Sequence, residues 1–473
     1  MLMREFARVV ARWRDAFARE RTMARVVAVL IGLLCTIGRR TVSNAILFRG
    51  GGGPGWAADY FAFSRAPWSV DKLFDSVFEV ALEAHDKVAS DEPVVALLDD
   101  TSLKKTSRVI RQARWMRDPL SPAFHVNLKY GLRYLHVALR LPLHKQDFAP
   151  RAISVAFELA PSAKKPGRRA TDAERAEFEA LRKKMSLPQR AVGQIAAQRA
   201  RLDVLGHSDR KLLMAVDGSY TNRVVMCSLP ERTDLIGRVR KDIALCRPAD
   251  PGRHRKVYGE RLPTPEAMRQ DSSIAYQSVD LFYGGKQRSV RYKEISNVLW
   301  QGGARQRHLR VFILAPTPYY APASSKKKYY YRDPAYLICT DLTSPASFLI
   351  QAYLDRWQIE PLHRDLKTGL GLGQAQVFSY DSVERLHSAV VAAWSMLTLA
   401  ALRAFGPART DDFPPLPAWR KVKSNHRASQ NDLIALLRQD IYAMAAAHAE
   451  QQAPSQLVEP TPLLLLPPAE LGP

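Results

Sequence analysis

The chain is poor in cysteine and short of acid. Its four cysteines, Cys35, Cys227, Cys246 and Cys339, lie far apart and form no CxxC pair. That spacing excludes a disulfide framework and a cysteine zinc site, and it fits free thiols in a reducing cytoplasm, the expected location. Acidic residues are outnumbered, 46 Asp+Glu against 70 Lys+Arg, which leaves a formal net charge of +24 on 473 residues. A surplus that large, spread along the chain, points to a polyanionic partner, most simply nucleic acid. Long apolar runs are missing too. The two longest, residues 26–37 and 389–402, fall short of the roughly 20 residues that span a bilayer, so no membrane partner is expected. The opening MLMREFARVVARWRDAF mixes acids with bases and has no signal-peptide pattern, and no internal repeat is visible.

What is present falls into stretches of different texture. Residues 1–90 carry apolar positions at helical spacing among arginines, and GRRTVSNAILFRG reads as a turn into a short basic helix closed by Gly50 to Gly53. Such a region either reaches a DNA groove or packs as a helical domain with a solvated basic face. From residue 93 the pattern turns to strands. VVALLDD (94–100), YGLRYLHVALRL (130–141), ISVAFELA (153–160), LLMAVDG (212–218), DLIGRVRKDIALC (234–246) and YLICTDL (336–342) are apolar or alternating runs of strand length. The charged segment 161–202 has helical period, and scattered strand-like pieces over 248–335 read as an inserted β region. Helices resume after Gly373, and the proline-rich tail, 454–473, is expected to lack fixed structure. The fold expected is α/β. Its segments are 1–90 helical, 91–247 and 336–375 forming a core, 248–335 inserted, and 376–453 helical.

Two strands share one grammar: VVALL runs into Asp99-Asp100-Thr101, and LLMAV into Asp217-Gly218. In open α/β sheets, sites form outside the carboxyl ends of such strands. An aspartate there either caps a turn or helix, or points a carboxylate into a cleft. Further on, YLDRWQIEPLHRDLK (353–367) places Tyr353, Arg356, Glu360 and Lys367 on one helical stripe with Arg364 beside them. The plainer reading is a solvated charged face. Pro361 lacks a backbone donor and disfavours helical geometry at Glu360, so the helix is expected to kink or restart there. Clustered carboxylates in a basic chain suit hydrolysis or transfer of a phosphodiester. Two Mg²⁺ ions supply the nucleophile and relieve charge at phosphorus, and magnesium takes hard oxygen ligands.

Together Asp100, Asp217 and Glu360 resemble the DDE triad of bacterial insertion-sequence transposases, whose catalytic core is ribonuclease H-like. The closest resemblance is to the cut-and-paste group with the signature Tyr, two residues, Arg, three residues, Glu, six residues, Lys. Tyr353, Arg356, Glu360 and Lys367 match it at every position. LLDDTSLKK and AVDGSY resemble the two aspartate motifs, and the likeness spans about residues 90–405, the β insertion included.

The resemblance implies that Asp100, Asp217 and Glu360 bind two Mg²⁺ ions, with Mn²⁺ able to substitute. Asp99 competes with Asp100, which is preferred because it directly precedes the threonine. It further implies that Tyr353, Arg356 and Lys367 contact phosphates beside the cleaved bond. Trp357 and Tyr336 would hold or displace a flipped base, with core packing the alternative for each. Lys104, Lys105, Arg364, KKPGRR (164–169) and KKKYYYR (326–332) would be further DNA contacts or solvated loops. Expected partners are double-stranded DNA, as terminal inverted repeats and target, and a second copy in a homodimer. The rival expectations are a ribonuclease H-like nuclease without strand transfer, and a transposase-derived DNA-binding protein without catalysis.

Overall fold

The computed structural model describes residues 1–118, 121–122, 124–250, 256–320, 329–419 and 427–452. The tail from 454 and part of KKKYYYR lie outside them. The chain is mixed α/β. It opens with α1 (Leu2–Val10), α2 (Glu20–Cys35), α3 (Val42–Phe48), α4 (Ala57–Ser64) and α5 (Val70–Ala89). Strands β1 (Val94–Lys104), β2 (Arg114–Arg117), β3 (Leu128–Leu141) and β4 (Arg151–Leu159) follow, then α6 (Asp172–Lys184) and α7 (Leu187–Val204). Next come β5 (Leu212–Val216), α8 (Arg223–Met226), β6 (Thr233–Arg238), β7 (Cys246–Pro248), β8 (Tyr258–Arg261) and α9 (Pro265–Gln270). The series continues with β9 (Gln277–Phe282), β10 (Gln287–Leu299), α10 (Gln301–Ala304), β11 (His308–Leu314), β12 (Pro318–Tyr320), β13 (Tyr329–Tyr331) and β14 (Ala335–Cys339). It ends in α11 (Ala346–Asp355), α12 (Ile359–Arg364), α13 (Tyr380–Phe405) and α14 (Gln430–Gln452).

The chain divides into two compact units. One comprises residues 1–91, 100–178 and 360–473, and the other 92–99 and 179–359. In the first, α13 is the organising element. Its residues from Leu386 to Ala401 are buried without a break, so every face of that stretch lies inside protein. It is the one helix among the described residues apolar and long enough to cross a membrane, and 78% of that stretch is buried. Helices α1, α4 and α5 and strand β4 pack against it. The N-terminal helices therefore share a core with the C-terminal segment, with Phe6, Val9 and Trp13 fully buried. Strand β3 pairs antiparallel with β2 through Leu128–Gly131 and with β4 through Tyr134–Leu141. Gly131 approaches β1 so closely that a Cβ there would lie 2.2 Å from the Leu103 carbonyl oxygen.

In the second unit, residues 94–98 of β1 pair in parallel with β5, and β5 pairs in parallel with β6. Strand β14 returns antiparallel on β6, then β11, β10 and β9 follow antiparallel in turn. The residues expected as an inserted β region thus extend the sheet of this unit. The run DLIGRVRKDIALC is strand as far as Arg238, because β6 ends where its partner β5 ends, and strand resumes only at Cys246, where β7 begins.

Candidate active site

The parallel pairing of β1 with β5 runs from Val94 opposite Leu212 to Leu98 opposite Val216. The next residues are Asp99 and Asp217. Matched register therefore puts Asp99, where β1 leaves its pairing with β5 and runs on to Lys104, beside Asp217, which follows the end of β5. Side chains alternate along a strand, so Asp100 leaves β1 on the face opposite Asp99. Their partners agree: an Arg356 guanidinium nitrogen lies 3.6 Å from Asp99 Oδ2, and both side chains are mostly buried. Arg356 comes from the 3₁₀ turn 356–358 that follows α11.

Asp217 also makes the turn that its sequence context suggested. Its Oδ1 accepts the Ser219 amide at 2.9 Å, and its Oδ2 accepts the Ser219 hydroxyl at 3.2 Å. Its carbonyl accepts the Tyr220 and Thr221 amides and the Thr221 hydroxyl. Gly237 on β6 leaves room for this turn, since a Cβ there would meet Thr221 Oγ1 at 2.0 Å. Tyr353 senses the same cluster. Burial pushes its phenol up, Arg356 and Arg238 pull it down, and Asp217 pushes it up. Asp99, Asp217, Arg238, Tyr353 and Arg356 therefore form one local group of opposed charges.

In the other unit Asp100 Oδ2 lies 3.1 Å from Arg133 Nε of β3, an ion pair without hydrogen-bond alignment. Glu360 is the second residue of α12 and is exposed, as are Arg364 and Lys367. The helical path changes pitch around it. The 3₁₀ turn precedes α12, and a π-helical turn, Asp365–Gly369, follows. Pro361 accounts for the first change, because it offers no N–H to the carbonyl four residues earlier. One turn beyond Glu360, His363 Nε2 meets His136 Nδ1 at 2.9 Å, and His136 Nε2 meets Ser154 Oγ at 2.9 Å. Burial first, then His363 and Lys367, hold the His136 imidazole well below the usual histidine range. A neutral imidazole can donate through one nitrogen and accept through the other, so this relay ties α12 to β3 and β4.

Other expected contacts are distributed differently. Lys104 and KKPGRR (164–169) reach solvent, apart from Pro166, which is half-buried, and Trp357 is 52% exposed. Lys105 is buried instead, and its ammonium donates to the Gly373 and Ala375 carbonyls at 3.0 and 3.2 Å. Burial, with Arg39 a smaller cause, brings it down to about 8. It is a structural tie and presents no charge to a ligand. Tyr336 is also buried, and its hydroxyl donates to Glu266, which Arg269 holds from the other side. Burial and Glu266 push that phenol up to about 12. Tyr336 packs in the core and lines a cavity of about 960 Å³ with Arg238, Arg240, Lys241, Arg269 and Trp300. Sequence reasoning missed Arg133, Arg238 and the histidine pair. Arg238 gave no signal, since it sits inside the run DLIGRVRKDIALC and becomes a strand end only through the pairing of β6 with β5.

Asp99 and Asp217 offer carboxylate oxygens, the donor type that suits a hard cation such as Mg²⁺. Among the described residues, no group of three or more His, Cys, Asp or Glu side chains stands close enough to hold an ion. Comparison with protein-family models found no match, and comparison with curated proteins found none either.

Proposed function

We propose that this chain is a metal-dependent DNA transposase of the DDE type, with a ribonuclease H-like core, that cleaves and rejoins the ends of an insertion sequence. The observation that carries the reading is the matched register of Asp99 and Asp217, with Tyr353 and Arg356 of the signature segment gathered around them. The same register favours Asp99 over Asp100 as the first metal ligand, leaving Asp100 to pair with Arg133. Asp99 and Asp217 would hold Mg²⁺ or Mn²⁺, with Glu360 completing the set. Bound there, the ions would activate water or a 3′-hydroxyl and neutralise charge on the reacting phosphate.

The chain's own residues prepare the ground for this. Arg356 offsets the repulsion between neighbouring carboxylates until cations arrive. Its planar fork can then turn to a phosphate, with Tyr353 and Lys367 adding a hydroxyl and a point charge. Cytoplasmic location, dimeric pairing of two ends, and terminal repeats with target DNA as partners belong to the same proposal.

The test is an excision and joining assay on the gene's own flanking DNA with purified protein and Mg²⁺, comparing wild type with D217N and E360Q. Cleavage and joining by wild type, lost in both variants while DNA binding persists, is the expected result. Cleavage without joining would point to the nuclease alternative. DNA binding without cleavage by wild type would point to a binding protein, and equal activity in the variants would remove the site.

A further inference from the structure

The segment from Lys104 to Tyr130 carries seven lysines and arginines against one acid, Asp118. Lys129 Nζ lies 3.1 Å from that single carboxylate. Lys105 is buried and Arg114 bends back onto the Arg111 and Ala113 carbonyls. Lys104 at the end of β1, Arg108 and Arg111 in the loop that follows, and Arg117 on β2 remain exposed.

Trp115 and Tyr130 stand directly opposite each other in the β2–β3 ladder. Their ring centroids are 5.6 Å apart at 62°. The Arg108 guanidinium covers both, 4.2 Å from the Tyr130 centroid and 5.0 Å from that of Trp115. Trp115 is nevertheless 57% exposed, and Leu128, on the same face, is 62% exposed. An exposed tryptophan on a short strand at the margin of a sheet is a liability that proteins usually remove. Here it is kept, braced from one side by a cation and ringed by charges of one sign.

We infer that this hairpin binds unpaired nucleotides of a DNA strand, with Trp115 stacking on a base and Arg108, Arg111 and Arg117 meeting its phosphates. Flat aromatics stack on bases that have left the duplex, and any base offers a π-face, so the contact is sequence-tolerant. The surrounding cations supply the salt-dependent part of the affinity. Arg108 does two jobs, since its cation–π contact holds the tryptophan in place while its outer edge stays wet. The inference rests on the proposal that DNA is the substrate, and it assigns the strand-contacting surface outside the carboxylate cluster.

The experiment is fluorescence anisotropy of labelled oligothymidylate and of a mixed-sequence duplex with the full-length chain, using wild type, W115A, W115F and R117Q. W115A should weaken oligothymidylate binding roughly 5- to 150-fold, the span one stacked base accounts for, and change duplex binding less than about twofold. W115F should recover most of the loss, and R117Q should lower the salt slope by about 0.7. Circular dichroism checks that each variant folds, and R117Q keeps the test open if W115A does not. Equal oligothymidylate affinity in wild type and W115A, or an unchanged salt slope in R117Q, would overturn the inference and leave the proposed function standing. Loss of self-association in W115A with DNA binding intact would overturn it in favour of a second copy of the chain. No binding of either DNA by wild type would sink the proposed function as well.

Discussion

Lys105 separates a structural reading from a DNA-contact reading by magnitude. Substituting K105M keeps the apolar stem and removes the ammonium that donates to the Gly373 and Ala375 carbonyls. A buried carbonyl left without a donor costs about 1–3 kcal/mol, so two cost about 2–6 kcal/mol. The lost desolvation of the ion returns part of this, and a net destabilisation of about 2 kcal/mol is expected. A lysine on a DNA phosphate would leave stability unchanged and contribute about 0.9 to the salt slope of duplex binding. Urea unfolding of wild type and K105M, with duplex affinity measured over a salt series, tests both readings. The sign with pH is fixed as well. The group titrates near 8 when folded against an ordinary value of 10.5, so the unfolded chain holds the extra proton between them. The advantage of wild type over K105M should therefore grow from pH 8 to 10.5 and shrink back as pH falls. Unchanged stability together with a reduced salt slope would refute the burial argument.

The buried histidines and two glycines in opposite surroundings give further tests. His136 and His387 are fully buried, and burial first holds both down, His387 to about 3. The unfolded chain therefore binds more protons below 6.5, and stability should fall by about 1 kcal/mol per pH unit for each histidine between pH 6.5 and 5. H136Q should roughly halve that slope, and a flat profile in wild type would contradict the neutral His136–His363 relay. G131A forces a Cβ into the Leu103 carbonyl and should cost about 3 kcal/mol. G193A, in the exposed middle of α7 with open space around it, should stabilise by about 0.5–1 kcal/mol, and thermal unfolding of the pair checks both.

What was legible in the sequence was local. Continuous apolar runs such as VVALL and LLMAV identified the buried parallel strands and Asp217 at the end of β5, whereas β1 runs on through Asp99 and Asp100 to Lys104. Pro361 announced the break in the signature helix, because a missing N–H acts on its own neighbours. The choice between Asp99 and Asp100 could not be read the same way, since it depends on the register with β5, more than a hundred residues away in sequence. Lys105 looked identical to Lys104 as a letter. Only the carbonyls of Gly373 and Ala375, brought in by the fold, make it a buried tie. The N-terminal helices read as a separate region because their periodicity says nothing of α13, which they pack against. His136 and His363 gave no signal, being single histidines in unrelated segments.

The most direct test of the central claim is metal rescue at Asp217, whose carboxylate stands at the carboxyl end of β5 beside Asp99. D217C replaces hard oxygen with a soft sulfur donor, which Mg²⁺ avoids and Mn²⁺ accepts more readily. DNA end cleavage by D217C and wild type should be timed with each ion, alongside D99N and D100N. As a metal ligand at Asp217 requires, D217C should be inactive with Mg²⁺ and regain cleavage with Mn²⁺, while D99N should be inactive with both and D100N should retain activity. Mg²⁺-supported cleavage by D217C or D99N at the wild-type rate would contradict the claim.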